Sequence, residues 1–200
     1  MIAIKHFFAS NIIHNTITNL STTTWNIRSI SYFNNSNIYP ENEYVRRRDE
    51  LKKFLTFFER DYGYKVNVIE TKYDNESYNK DLEPYANQDE GLERCQICYT
   101  KRMKEAYEYA ENNGFDYFTT VMTISRQKNS QILNLIGESL EKTHKKTKYF
   151  YSDFKKNRGI DIGREMRLHY NLYNQLYCGC KYTYEKGLKK QAEKEEKSCY

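Results

Sequence analysis

Between Tyr99 and Met122 the chain changes its hydrophobic period once, and this change restricts the possible folds most. Met103, Ala106, Tyr107 and Ala110 recur at helical spacing, Gly114 breaks the pattern, and Phe115 to Met122 then runs on as a buried strand. A helix feeding a strand through a glycine is half of an α/β unit. Just ahead of the helical stretch stands Cys95-Gln-Ile-Cys98. Two thiols at this spacing, on a turn ahead of a helix N-terminus, can bind one metal ion, because the helix dipole steadies an anionic metal–sulfur centre. The other reading is a pair of ordinary half-buried thiols. A second pair, Cys178-Gly-Cys180, lies far downstream. It can complete a metal site or close as a strained, readily reduced disulfide.

The remaining pattern repeats the alternation. Ile27 to Phe33 reads as a strand, as does Ile2 to Phe8 more weakly. Residues 43–61 read as a helix with Leu51, Phe54, Leu55 and Phe58 on one face and Gly63 as its stop. Tyr64 to Glu70 reads as a strand and residues 71–92 as a long polar loop. Further helices are expected over 128–142 and 161–175, the latter packing through Met166, Leu168 and Leu172, with a short strand at Lys148 to Tyr151. The expectation is an α/β fold: one Rossmann-like domain, with a mainly parallel sheet, flanking helices and ligands beyond the carboxyl ends of the strands.

The chain has 200 residues, enough for a substantial core, with 20 Tyr and 10 Phe. Its net charge of +5 leans mildly toward polyanionic partners. No cleavable signal pattern or apolar run of spanning length occurs, which fits a soluble, cytoplasmic protein without a membrane partner. In a reducing compartment, paired cysteines serve as metal ligands or redox thiols more often than as structural disulfides. The fifth cysteine, Cys199, reads as a spare thiol on a charged tail. No phosphate-binding or dinucleotide glycine loop occurs, so nothing supports a bound nucleotide cofactor.

Other polar positions have two readings each. Asp153 can be a general acid, an orienting carboxylate or a turn residue. Ser125 and Lys128 can hold a phosphate or cap the next helix. Arg94, Lys101, Arg102, Lys145, Lys146, Lys155, Lys156, Arg158, Arg164 and Arg167 can form a phosphate-binding surface if they share a face, or can be solvated surface. The four histidines lack metal-ligand spacing.

Five motifs then stand in register: Glu93-Arg94-Cys95-x-x-Cys98, Gly114-Phe-Asp-Tyr-Phe-Thr-Thr, Thr123-x-Ser125-x-x-Lys128-Asn129, Ser152-Asp153-Phe154-Lys155-Lys156 and Tyr177-Cys178-Gly179-Cys180. Together they resemble the cobalamin-independent epoxyqueuosine reductases of the QueH type, over about residues 32–181. The resemblance implies an oxidoreductase that reduces epoxyqueuosine to queuosine at the wobble position of tRNA, the last step of queuosine synthesis. It implies a [4Fe–4S] cluster with Cys95 and Cys98 as ligands and leaves an additional metal ion open. It also implies Cys178 and Cys180 as a redox-active dithiol and Asp153 as a metal contact or acid. It names neither an electron donor nor an oligomeric state. The alternatives are a non-catalytic protein with a structural zinc–thiolate site, or an inactive tRNA-binding homologue.

The family pattern also has a Cys-Cys-x-x-Cys segment after its first strand, whose leading pair supplies further cluster ligands. Residues 5–11 here read Lys-His-Phe-Phe-Ala-Ser-Asn. Residues 1–40 contain neither Asp nor Glu, although the chain has 27 acidic residues. Residues 1–31 are therefore expected to be an atypical segment, such as a frameshifted or degenerate first strand, with a reductase-like domain over 32–181 and a charged tail over 182–200.

Overall fold

The computed structural model describes residues 2–4, 29–185 and 187–188. The expected strand from Ile2 to Phe8 is described only at Ile2–Ile4 (β1); its remainder, the segment 5–11 and Cys199 lie outside the described residues. The other strands are Ser29–Phe33 (β2), Val66–Glu70 (β3), Tyr117–Thr119 (β4) and Lys148–Tyr149 (β5). The helices include Glu41–Tyr62 (α1), Asn75–Asn79 (α2), Glu93–Asn112 (α3), Ser130–Glu141 (α4) and Gly159–His169 (α5), and residues 181–185 are helical as well. Among the described residues no helix is long and apolar enough to cross a membrane.

The five strands form one sheet in the order β3-β2-β1-β4-β5. β2 and β3 are parallel, from Ser29 opposite Val66 to Phe33 opposite Glu70, and β4 and β5 are parallel. Each parallel pair is joined through a helix, α1 or α4, as parallel strands require. β1 is antiparallel to both its neighbours. The four outer strands therefore run one way and the central strand the other. The fold is α/β as expected, but the sheet is mixed, with two parallel and two antiparallel pairings. Hydrophobic period gives a strand's faces but not its direction, so the sequence carried no signal for this reversal.

α3 lies at the centre of the core. Its Met103, Ala106, Tyr107 and Ala110 are fully buried against Ile30, Phe118, Leu133 and Tyr149. Complete burial of such side chains is worth about 1.5–3 kcal/mol each for the larger ones. Gly114, at φ 68°, follows the helix in the left-handed region and turns the chain into β4.

Several boundaries differ from the sequence reading. α3 starts at Glu93, so Cys95 and Cys98 sit inside its first two turns and not on a loop ahead of it. The 71–92 region is not irregular throughout: Asp74 caps α2 by accepting from the Ser77 N–H, and a 3-10 turn follows at Glu83–Tyr85. β4 gives way to a 3-10 turn at Val121–Ile124, where Thr120 accepts from the Met122 N–H. α5 stops at His169, short of 175, because Tyr170 turns inward to stack on Phe57 and Asn171 adopts φ 47°. Leu168, expected to pack, is 59% exposed.

Candidate active site

The first thiol pair is held by the start of α3 and the segment before it. Gly91, at φ 99°, donates its N–H to Cys95 Sγ at 3.2 Å. The Tyr78 hydroxyl lies 3.2 Å from Cys98 Sγ and 3.0 Å from the Cys98 carbonyl, to either of which it can donate. Burial pushes the Cys98 thiol up, against the pull of Arg102 and Tyr78.

The second pair is held by α1. Arg47 donates to the carbonyls of Tyr177 and Cys178, both at 3.1 Å, while its Nε donates to Glu43 at 2.7 Å. The Tyr39 N–H reaches the Gly179 carbonyl at 2.7 Å. Only glycine suits position 179. Its φ is +113°, and a Cβ there would stand 2.8 Å from Arg47 Nη1.

Cys178 lies in the electrostatic neighbourhood of the first pair: the charges of Cys95, Cys178 and Cys98 all push the Tyr99 hydroxyl up, and that of Cys178 pushes Cys98 up. All four cysteines are free thiols. Within the second pair the protonation is asymmetric. A hydrogen bond from Cys180, helped by the nearby Lys128 and Arg102, outweighs burial and holds Cys178 well below the usual thiol range. That same bond and burial push Cys180 up. The pair thus gives up its first proton more readily than an isolated thiol, with Cys178 on the lowered side.

Cys178 lines a cleft of about 550 Å³. Phe33, Asn35 and Asn37 reach it from the end of β2, and Val121, Met122 and Ser125 from the end of β4. It thus opens beyond the carboxyl ends of two parallel strands, where ligands of α/β sheets collect. Leu51 and Phe54 of α1 supply an apolar wall. Lys128 stands on the rim with Nζ 3.8 Å from Cys178 Sγ. Two polar atoms in the lining are unspent: Asn37, 2% exposed, leaves its Oδ1 without a partner, and Arg102 leaves its Nε free while its other nitrogens engage Asn35 and Met122.

Asp153 lines a second cleft instead, of about 540 Å³. Burial alone would raise its pKa. The Ser130 hydroxyl at 3.0 Å, the Lys155 N–H at 3.3 Å and the Lys155 ammonium at 3.4 Å outweigh burial and hold it down. An ionised, engaged carboxylate suits orientation better than proton donation. Neither Ser125 nor Lys128 caps α4, because Asn129 takes that role by accepting from the Gln131 and Ile132 N–H groups. Of the ten cations, several are engaged within the fold. Arg94 is 4% exposed and ties the carbonyls of Tyr85, Ala86 and Gln88, Lys101 pairs with Asp81, and Arg158 pairs with Glu165.

The soft donors present suit a metal–sulfur cluster in kind. Cys95 and Cys98, each with a hydrogen-bond donor at its sulfur, fit as two ligands. Among the described residues no group of three or more His, Cys, Asp or Glu side chains is arranged to hold a metal ion. The site therefore fits part of a cluster's ligand set.

The model of the epoxyqueuosine reductase QueH family matches residues 7–186. This chain belongs to the QueH family. An epoxyqueuosine reductase QueH of Streptococcus pyogenes is 40% identical over 152 residues, which are 76% of this chain and 59% of that protein. The QueH of Staphylococcus aureus is 38% identical over 151 residues, covering 74% of this chain and 62% of its own length. The QueH of Thermotoga maritima is 28% identical over 178 residues, 87% of this chain and 89% of that protein. The chain thus spans about 60% of the streptococcal and staphylococcal QueH proteins.

The sequence of this QueH chain alone does not single out Tyr78 or Arg47, whereas Asn37 belongs to the family-like segment Asn37-Ile38-Tyr39-Pro40. Tyr78 was one tyrosine among 20 in a loop thought irregular. Arg47 carried the only readable signal, a Glu43 four residues before it, but that spacing looks the same on a solvated helix face.

Proposed function

We propose that this chain reduces the epoxide of epoxyqueuosine in tRNA to the alkene of queuosine. The observation that carries the reading is the placement of Cys178, two residues from Cys180, on the lining of a cleft of about 550 Å³ with the Lys128 ammonium 3.8 Å from its sulfur. In the net reaction the pair gives up two electrons and the Cys180 proton, and solvent supplies the second proton. The epoxide oxygen leaves as water, its two carbons become a double bond, and the two sulfurs end as a disulfide. Lys128 holds the negative charge on Cys178, while Cys180 holds a proton beside it. The apolar wall around Phe54 excludes water, and Asn37 Oδ1 and Arg102 Nε offer one acceptor and one donor to the substrate's polar edge. A [4Fe–4S] cluster, with Cys95 and Cys98 as two of its ligands, would supply electrons singly when bound. Its other ligands, in this reading, belong to a paired-cysteine segment that residues 5–11 do not spell, and residues 1–31 are a frameshifted translation. Translating the DNA before the Tyr32 codon in all three frames tests that part; no paired-cysteine segment in any frame would sink it. A true first strand parallel to its neighbours would make the order β3-β2-β1-β4-β5 a Rossmann-like winding. With tRNA as substrate, the protein works in the cytoplasm.

The direct test is anaerobic reconstitution with iron and sulfide, incubation with epoxyqueuosine-containing tRNA and a chemical reductant, and mass spectrometry of the digested nucleosides. Wild type is expected to form queuosine. Cys178→Ser is expected to abolish turnover with the cluster absorption kept, and Cys95→Ser or Cys98→Ser to abolish the absorption itself. Undiminished turnover in Cys178→Ser would overturn the dithiol role.

A further inference from the structure

The second cleft is the feature that the chemistry of the thiols does not use. It lies against the start of α4 and the loop after β5, and it shares Lys128 with the thiol-bearing cleft. Its charge is one-sided. Asp153, the one carboxylate in its lining, is already bound by Ser130 and Lys155. Lys155 is likewise spent, on the carbonyls of Thr123 at 2.7 Å and Lys128 at 3.3 Å. Arg126 and Lys156 are exposed, line the cleft and take part in no ion pair among the described residues. Tyr151 lies beside them, 57% exposed.

Two unneutralised cations in a concavity, next to an exposed aromatic ring, form a subsite for a nucleotide: charge for the phosphodiester and a ring face for a base. We propose that this cleft binds the RNA backbone next to the reacting nucleotide. Arg126 and Lys156 take a phosphate, Tyr151 stacks on an unpaired base, and Lys128 marks where the strand crosses into the thiol cleft. This deepens the proposed reading, on which it rests for the identity of the RNA. A single-stranded loop fits better than a duplex, because only an unstacked base can reach Tyr151.

The test uses the full chain and a fluorescein-labelled RNA hairpin carrying an anticodon loop, with binding followed by anisotropy across a salt series. The variants are Arg126→Ala/Lys156→Ala and, as a control of equal charge change, Lys145→Ala/Lys146→Ala, two cations exposed outside both clefts. Near 0.1 M salt, removal of Arg126 and Lys156 is expected to weaken binding by roughly tenfold per cation and to lower the slope of log Kd against log salt by about two. The control pair is expected to change neither. Tyr151→Ala is expected to weaken the hairpin but not a fully paired duplex. Equal losses in the two double variants, or no binding by the wild type at low salt, would overturn the subsite. Binding that depends on Arg126 and Lys156, with no epoxide reduction on the same hairpin carrying epoxyqueuosine, would uphold the subsite and overturn the reductase reading instead.

Discussion

Lys128 is held 3.8 Å from the Cys178 sulfur, and its effect there is separable from the fold. Cys178 is kept ionised first by the Cys180 hydrogen bond and then by the charges of Lys128 and Arg102. Removing Lys128 takes away one stabiliser of the anion, so the thiol pKa rises. In Lys128→Met the pH midpoint for alkylation of Cys178 by iodoacetamide is therefore expected to move up, read by mass spectrometry of the Cys178 peptide. An unmoved midpoint would leave Cys180 and Arg102 as sufficient. At this scale the sequence showed which residues carry chemistry but not their states. Cys178 and Cys180 were legible as a pair from spacing alone. Which of them is lowered depends first on the direction of the hydrogen bond between them and then on Lys128 and Arg102, 50 and more residues away along the chain, and no local pattern reports that.

Among the elements, the contact of α4 with β5 has the least room. A Cβ on Gly137 would fall 2.2 Å from the Tyr149 ring. That ring cannot step aside, because its hydroxyl donates to Asn134 at 2.8 Å while its N–H binds Glu141. Gly137→Ala is accordingly expected to destabilise the protein by about 1–3 kcal/mol, as overpacking does, measured by urea unfolding. Wild-type stability would mean that α4 can slide along the sheet. α4 is legible through Leu133 and its flanking apolar residues, but nothing in the pattern marks Gly137 as a contact. α1 and α3 were legible for the same reason as α4: long segments repeat their period often enough to be read. β4 and β5, with three and two residues, do not, and they were drawn too long. The extra turns of α3 were hidden because Cys95 and Cys98 read as loop chemistry while being good enough helix residues.

Across the whole molecule, one carboxylate joins the core helix to the far edge of the sheet. Glu111 accepts from the backbone N–H groups of Thr147 at 2.8 Å, Lys145 at 3.0 Å and Lys146 at 3.1 Å, just where the chain enters β5. These bonds, that of Thr147 foremost, hold its pKa down to about 2 from an ordinary 4.5. A depressed carboxylate stabilises the fold above its unfolded pKa and loses that contribution as pH falls toward its folded one. Wild type is expected to melt above Glu111→Gln near neutral pH, with the gap closing between about 4.5 and about 2. A gap independent of pH would assign the effect to shape and not to charge. The Arg47 clamp on the Tyr177 and Cys178 carbonyls carries a different consequence, one of timing. It spans up to 131 positions of sequence, and such distant partners meet only after the intervening chain has closed. Before that closure Cys178 lacks the charges of Lys128 and Arg102 beside it, so its sulfur is less readily ionised and less open to oxidants. Its sensitivity to oxidation is acquired with its competence, in one event.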